Sequence, residues 1–489
     1  MTEESKLTPW EVKGKVDYMT QINKFGTHAI TGSLIERWER VTKTKAHHFL
    51  RRGLVFSHQD LELILDDVEQ GKPVYIYTGR GPSSESMHLG HMIPFIFTKY
   101  LQDALNCIVI IQMSDDEKFL FKDGSKPKDL NKYRELSYKN AKDIIACGFD
   151  PDKTFIFSNL EYNSGYLYFN NVLLMKATTV NQIRSTYGLG ETINQHVIDL
   201  CKSQLNVEQD ENKLEVYKKL IEHYDGKESS NSVGQVMWPV FQCGPAYCTS
   251  FNDIFCNAIK NELNNDNVPD SVRTHLKNIL KKLSSKYNGG DIRCLVPMAI
   301  DQAPYFRMAR DLAHELECPK PAVIHSEFLP DLKQSSGKMS STTGENTTLF
   351  LDINVEQIKK TIKKYAYSGG KDTLEEHRKY GADIKVDICY QYLTYFIESD
   401  EELEKIANEY SSGNMLSSEI KELTANIIAD IILKHQNNKK NINDEQLYKF
   451  FNPNRDFKIG GCYKRDNLDV LNDYTKYGID FDRTFGIKK

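Results

Sequence analysis

Between residues 72 and 158, three apolar runs of strand length alternate with two stretches of helical character. "KPVYIYTGR" (72–80), "CIVIIQM" (107–113) and "TFIFS" (154–158) are rich in β-branched and aromatic residues and are apolar on both faces. A strand of that kind has to be covered on both sides, which predicts a parallel sheet with helices packed above and below it. The intervening helices are MHLGHMIPFIFTKYLQDAL, where Pro94 falls in the tolerant first turns, and KYRELSYKNAKDIIACGF, closed by Gly148. In such sheets ligands bind beyond the carboxyl ends of the strands. The segments TGRGPSS and SDDEK both lie there, with Glu117 placed on a loop.

The chain has 489 residues, enough for about two to four domains with real cores. Residues 1–71 read as a helical extension, in which Ser57 caps a helix through LELILDDVEQ that Gly71 ends. Strand and helix alternation resumes with RCLVPMAI, APYFRMARDLAHEL and PAVIHSEF, so residues 72–354 are expected to form one α/β domain. Two stretches rich in Asn, Lys, Asp, Glu and Ser, at about 190–230 and 261–290, read as charged surface insertions. From 355 the strands vanish and helical periodicity runs to 453, predicting a separate α-helical domain. The aromatic, charged tail 454–489 has no predicted place.

No apolar run approaches the ~18–20 residues of a membrane span, and MTEESKLTPWEVKGK has no apolar signal core. The 10 cysteines are scattered without a CxxC, so reduced thiols of an intracellular, cytoplasmic protein are expected, with no bound metal. A net charge of −5 argues against a whole-protein electrostatic grip on nucleic acid and leaves room for a local basic patch.

Two motifs carry chemistry. In "GPSSESMHLGHMIPF" (81–95), His88 and His91 stand three apart at a helix entrance with Gly90 between them. The helix's first N–H groups and positive dipole end favour phosphate, the imidazoles can donate to phosphate oxygens, and Gly90 lets a flat base approach the backbone. The plain alternative is a pair of half-buried surface histidines. In "SSGKMSSTTG" (335–344), Lys338 sits among hydroxyls and glycines, able to bring a point charge to a phosphate. The alternative is an ordinary Ser/Thr-rich loop.

An HxGH after the first strand and a KMSS loop ahead of a helical region resemble the class I aminoacyl-tRNA synthetases. "YIYTGRGPSSESMHLGHMIPFIFTKYLQDAL", "IQMSDDEKFLFKD", "NAKDIIACGFD", "AIDQAPYFRMARDLA", "YSGGKDTLEEHRKYGAD" and "HHFLRRGLVFSHQD" resemble the tryptophanyl branch of eukaryotic type, over roughly residues 20–450. The resemblance implies a Rossmann-type catalytic domain with a helical anticodon-binding domain, activation of tryptophan by ATP with Mg²⁺, and transfer to tRNA(Trp), by a homodimer. It also implies site roles. Tyr77 and Gln112 would hydrogen-bond the indole N–H. Glu117, Gln242 and Gln302 would surround the ammonium and carboxylate, with Phe306 as an aromatic wall. Arg80, Gly81, Ser84, His88, Gly90, His91, Lys338, Met339, Ser340 and Ser341 would serve ATP, with His88, His91 and Lys338 catalytic, and Asp372 would face the anticodon. From the residues alone, core packing for Tyr77 and Phe306, and a solvated acidic turn for Glu117, remain open readings. The family signature KMSKS is KMSST here, which leaves Lys338 as the motif's one lysine and puts weight on Arg80 and Lys118. The rivals are a tyrosyl enzyme of the same architecture and a catalytically silent, RNA-binding relative.

Overall fold

The computed structural model describes residues 26–122, 126–187, 195–205, 207–208, 210–224, 231–285, 289–333 and 347–464, with short pieces at 6–7, 12–13 and 22. Seven strands form one sheet: β1 (His28–Ala29), β2 (Val55–Gln59), β3 (Val74–Arg80), β4 (Ile108–Met113), β5 (Thr154–Ser158), β6 (Arg293–Ala299) and β7 (Ala322–Ser326). Their spatial order is β1-β2-β7-β6-β3-β4-β5. The five strands from β7 to β5 are parallel, and β2 and β1 continue the sheet antiparallel at one edge.

Sequence alone makes the stretch before residue 72 wholly helical, but it supplies β1 and β2. Ser57 lies within β2, where its Oγ is 3.0 Å from His325 Nδ1 of β7. Helix α1 (Leu61–Glu69) is instead entered through Asp60, whose φ of 63° is left-handed and which makes no side-chain cap. The polar VFSHQ run is a strand because β7 supplies its partner, a contact far along the chain.

The sheet's period of two sorts residues onto two cores. Val74, Ile76, Val109, Ile111 and Ile156 face one cluster together with helix α2 (Leu89–Leu105). Tyr75, Tyr77, Ile108, Ile110, Phe155 and Phe157 face the other. Its cover includes α6 (Val233–Cys243) and α8 (Ala303–Leu312), reached after α3 (Asp115–Phe121), α4 (Pro127–Ile145) and α5 (Gly165–Ala177). The 261–290 stretch is only partly a surface insertion. Helix α7 (Asp270–Ser284) buries Val272, Leu276, Ile279 and Leu283, a helical stripe, in the second core.

Among the described residues, the core of the helical region is continuous with the first cluster. Helices α9 (Val355–Tyr365), α10 (Ile388–Phe396), α11 (Asp400–Ser411) and α12 (Ser417–Lys440) bury Ile358, Tyr392, Ile406 and Ile428 in the same cluster as Ile76 and Met92. Polar clamps reinforce the join. Arg51 and Arg52 both ion-pair Asp400, and Lys439 Nζ lies 2.6 Å from the buried Asp143 of α4. The start of the tail also belongs to the body: Phe457, Ile459 and Cys462 are buried, and Arg455 donates to the Thr154 carbonyl at 2.7 Å. Residues 465–489 lie outside the described residues.

Two buried imidazoles make this fold acid-sensitive. His48, whose Nε2 meets the Tyr395 carbonyl at 2.9 Å, is pushed down to about 4 by burial. His325 is pushed down to about 3 by burial and by His58. Both values lie below the ordinary imidazole value, so the unfolded chain takes up protons first as pH falls. Their contribution is full above about pH 6.5 and declines toward pH 4, by about 1.4 kcal/mol per unit for each ring. Burial raises the Asp116 and Glu327 carboxyls, which act in the opposite sense over the same window. The share of one ring is therefore read by difference: between pH 6.5 and 4 the urea midpoint of the native chain should fall more steeply than that of His48→Gln, and equal slopes would contradict the burial of His48.

Candidate active site

Strand β3 lies between β6 and β4, so the direction of winding reverses there and a crevice opens beyond the carboxyl ends. A cleft of about 540 Å³ occupies it. Residues 78–81 follow from β3, 296–299 from β6 and 326–329 from β7; Gly90 and His91 come from α2, Glu117 and Lys118 from α3. Gln242 at the end of α6, and Gln302 and Phe306 at the start of α8, complete the wall.

His88 is the N-cap of α2 and makes no side-chain cap bond. It is buried, its ring stacks on His91 with centroids 3.5 Å apart, and both line the cleft. The Leu89 N–H donates to the Leu349 carbonyl at 2.8 Å, which anchors the helix entrance to the segment that follows the KMSS region. Two imidazoles and a helix dipole therefore meet at one wall, a place suited to phosphate.

The GRGPSS segment is held by α4. Arg80 Nε donates to Asn140 Oδ1 at 3.2 Å, and Asn140 Nδ2 donates to the Ser84 carbonyl at 2.8 Å. Ser84 Oγ is turned onto the Ser86 carbonyl at 2.7 Å, and Ser84 is not among the cleft-lining residues. Burial lowers the Arg80 guanidinium to about 10, with Glu117 and Asp143 opposing the shift, so it remains a cation at neutral pH. Gly81 lies close to the ends of two side chains: a Cβ there would stand 2.4 Å from Lys118 Cε and 2.7 Å from Glu117 Oε2 and would push both aside.

Tyr77 and Gln112 come together because both face the second core near the strand ends. Tyr77 Oη lies 2.6 Å from Gln112 Oε1 and 3.0 Å from the Gln242 carbonyl, donating toward both. Gln112 Nε2 donates to Asn159 Oδ1 at 2.9 Å. These bonds turn the glutamine's carbonyl oxygen toward the phenol. Both side chains are buried behind the cleft wall, and the Tyr77 ring meets Phe306 with centroids 5.8 Å apart.

Glu117 belongs to the first turn of α3 and not to a loop; Ser114 Oγ donates to its Oε2 at 2.7 Å and Lys118 Nζ lies 3.2 Å from its Oε1. Its neighbours are no solvated acidic turn either. Asp115 is buried and accepts from Ser137 and Ser158. Asp116 accepts from Asn159 Nδ2 at 2.8 Å and Trp238 Nε1 at 3.2 Å, and burial pushes its carboxyl up to about 6. Asn159 and Glu327 are residues that sequence reasoning passes over. Each directly follows a strand's last residue, Ser158 or Ser326, so the rule that places ligands beyond the carboxyl ends of the strands also covers them. Burial raises Glu327 to about 7 on the cleft wall. Lys338, Met339, Ser340 and Ser341 lie outside the described residues. Asp372 is exposed in the helical region, just before the N-cap Thr373 of the helix Leu374–Tyr380.

The family model described as tRNA synthetases class I (W and Y) matches residues 69–198 and 283–432. The cytoplasmic tryptophan–tRNA ligase of Dictyostelium discoideum is 41% identical over 453 residues, 92% of this chain and 96% of its own length. The human cytoplasmic tryptophan–tRNA ligase is 40% identical over 460 residues, 93% of this chain and 82% of its own. The crystal structure of the Plasmodium falciparum tryptophanyl-tRNA synthetase superposes with a TM-score of 0.69 at 38% identity, covering 90% of this chain and 96% of that one. With HxGH at the switch point, a buried Tyr77–Gln112 pair and these likenesses along nearly the whole chain, the protein belongs to the tryptophanyl-tRNA synthetases of class I.

Proposed function

We propose that the chain activates L-tryptophan with ATP, releasing pyrophosphate, and passes the tryptophanyl group to the 3′ end of tRNA(Trp). The observation that carries this is one cleft in which an HxGH helix entrance stands opposite a wall of Gln242, Gln302 and Phe306, with the Tyr77–Gln112 pair behind it. The tryptophan carboxylate attacks the α-phosphorus, so no protein nucleophile is required. Alignment of the two reactants and stabilisation of phosphate charge supply the rate. His88, His91 and Arg80 are the described groups suited to that charge. ATP enters as its Mg²⁺ complex, since Mg²⁺ is held mainly by phosphate oxygens and water.

In this reading Glu117, beside Lys118, meets the substrate ammonium and Gln242 and Gln302 its carboxylate, which their shared place on the cleft wall supports. For tRNA, Lys359, Lys360, Lys363 and Lys364 are exposed along α9, and Tyr367 is exposed just beyond it. Together with Lys371 and Asp372 they offer phosphate contacts and a stacking surface for unpaired bases. A homodimer is supported by α5, which leaves Tyr168 and Val172 exposed one turn apart. A cytoplasmic location is supported by the relatives named cytoplasmic.

ATP–pyrophosphate exchange with tryptophan, with tyrosine and with neither tests the reading. Exchange that depends on tryptophan alone is the expected result. Exchange with tyrosine would keep the catalytic core and overturn the pocket, and none with either, from folded protein, would mark a binding protein that has lost the reaction.

A further inference from the structure

Cys248 opens the 3-10 turn Cys248–Phe251, five residues beyond the end of α6. Cys318 follows the turn that ends the helix pair α8 and Ala313–Leu316, after Glu317 in a left-handed conformation. The fold packs these two distant thiols against the same glycine. Gly290 closes the site from a third direction: a Cβ on it would stand 2.2 Å from Cys248 Sγ and 3.5 Å from Cys318 Sγ. A glycine there leaves the two sulfurs room to meet.

The surroundings of the two sulfurs differ. Cys248 is fully buried. Cys318 is half-buried, its Sγ lies 3.6 Å from Thr249 Oγ1, and the backbone N–H groups of Thr249 and Gly290 also serve it. The contact with Cys248, then these donors, hold the Cys318 thiol below the ordinary thiol value, while the same contact and burial push Cys248 well above it. A cavity of about 60 Å³ is lined by Thr249, Gly289 and Glu317, chain neighbours of Cys248, Gly290 and Cys318, with room for a molecule about the size of water or hydrogen peroxide. A half-buried thiol backed by a second thiol is the arrangement of a peroxide-reactive site.

We infer that Cys248 and Cys318 form a redox-active thiol pair that hydroperoxides convert to a disulfide. The Cys318 thiolate attacks one peroxide oxygen, the O–O bond breaks, and water or an alcohol leaves with a proton from solvent, giving the sulfenic acid. Cys248 Sγ then attacks Cys318 Sγ, forming the S–S bond, and the sulfenic hydroxyl leaves as water with the Cys248 proton. The two electrons lost by the thiols are those that reduce the peroxide, and a dithiol reductant reverses the change. The pair lies on the second core's side of the sheet, outside the catalytic cleft, so this chemistry stands apart from aminoacylation.

The test treats the full chain with hydrogen peroxide, blocks remaining thiols with N-ethylmaleimide and maps linked peptides by mass spectrometry. A Cys248–Cys318 peptide that dithiothreitol releases, with the other eight thiols blocked, is the expected result. Cys248→Ser should instead accumulate sulfenic and sulfinic acid on Cys318, and Cys318→Ser should form no link; melting curves confirm that both variants are folded. If the native chain keeps all its thiols, or if Cys318 over-oxidises as fast in the native chain as in Cys248→Ser, the pair is not a functional couple and the inference fails.

Discussion

Replacing Gln112 with Ala is expected to lower kcat/KM for tryptophan by about 10²-fold while the KM for ATP stays within about twofold. The asymmetry follows from where the side chain sits. Gln112 is buried at the floor of the second core, its Oε1 facing Tyr77 Oη at 2.6 Å and its Nε2 bound to Asn159. His88 and His91, the groups proposed to meet phosphate, enter from the helix on the other face of the sheet. A site built to accept an indole N–H rejects an analogue without one by ~10⁴-fold, because its own polar groups are then left unpaired. Benzothienylalanine, with sulfur in place of the N–H, is such an analogue. The native chain should discriminate strongly against it, and Gln112→Ala and Tyr77→Phe should each reduce that ratio. Because the ratio compares two substrates in the same variant, general damage to the fold cancels. A ratio equal to the native one in both variants would remove the pair from indole recognition.

The sheet was open to sequence reasoning for a physical reason. Continuous apolar strands announce a covered parallel sheet with ligands beyond its carboxyl ends, a rule that reaches the HxGH entrance and the end of the Gln112 strand; the roles given to Tyr77 and Gln112 come from the family resemblance, since from the residues alone Tyr77 is equally a core aromatic. The same rule reaches Asn159 and Glu327, but neither belongs to a motif that draws attention to it. Other features depend on contacts that no local pattern encodes. The VFSHQ strand is more than half polar and exists because β7 lies beside it. Helix α7 does carry a legible stripe at Val272, Leu276, Ile279 and Leu283, which the surrounding lysines and asparagines obscure when composition is weighed ahead of periodicity. The continuity of the helical region with the first core is the least legible of all, because helical periodicity reports that a face is apolar and not what covers it.

That continuity rests in part on Asp400, and Asp400→Ala is expected to cost about 3–5 kcal/mol of unfolding free energy. Its carboxylate accepts from Arg51 Nε at 2.8 Å through one oxygen and from Arg52 Nε at 2.7 Å through the other. Both guanidiniums are 7% exposed and the carboxylate 6%. Removing the anion leaves two like charges side by side out of water, each still tied by N–H groups to carbonyls such as those of Ala46 and Thr394 and unable to swing into solvent. Asp400 is also the first residue of α11, so its charge favours the helix's positive end as well. The contrast is Arg37 with Asp66 and Glu69, where the side chains are 25%, 43% and 52% exposed. Water replaces that pairing, and Arg37→Ala should cost no more than about 1 kcal/mol. Urea unfolding of both variants measures the difference. Asp400→Asn should fall between native and Asp400→Ala, since the amide oxygen still accepts one guanidinium while the charge balance is lost. Equal losses in Asp400→Ala and Arg37→Ala would show that Arg51, Arg52 and Asp400 do not bind the helical region to the sheet.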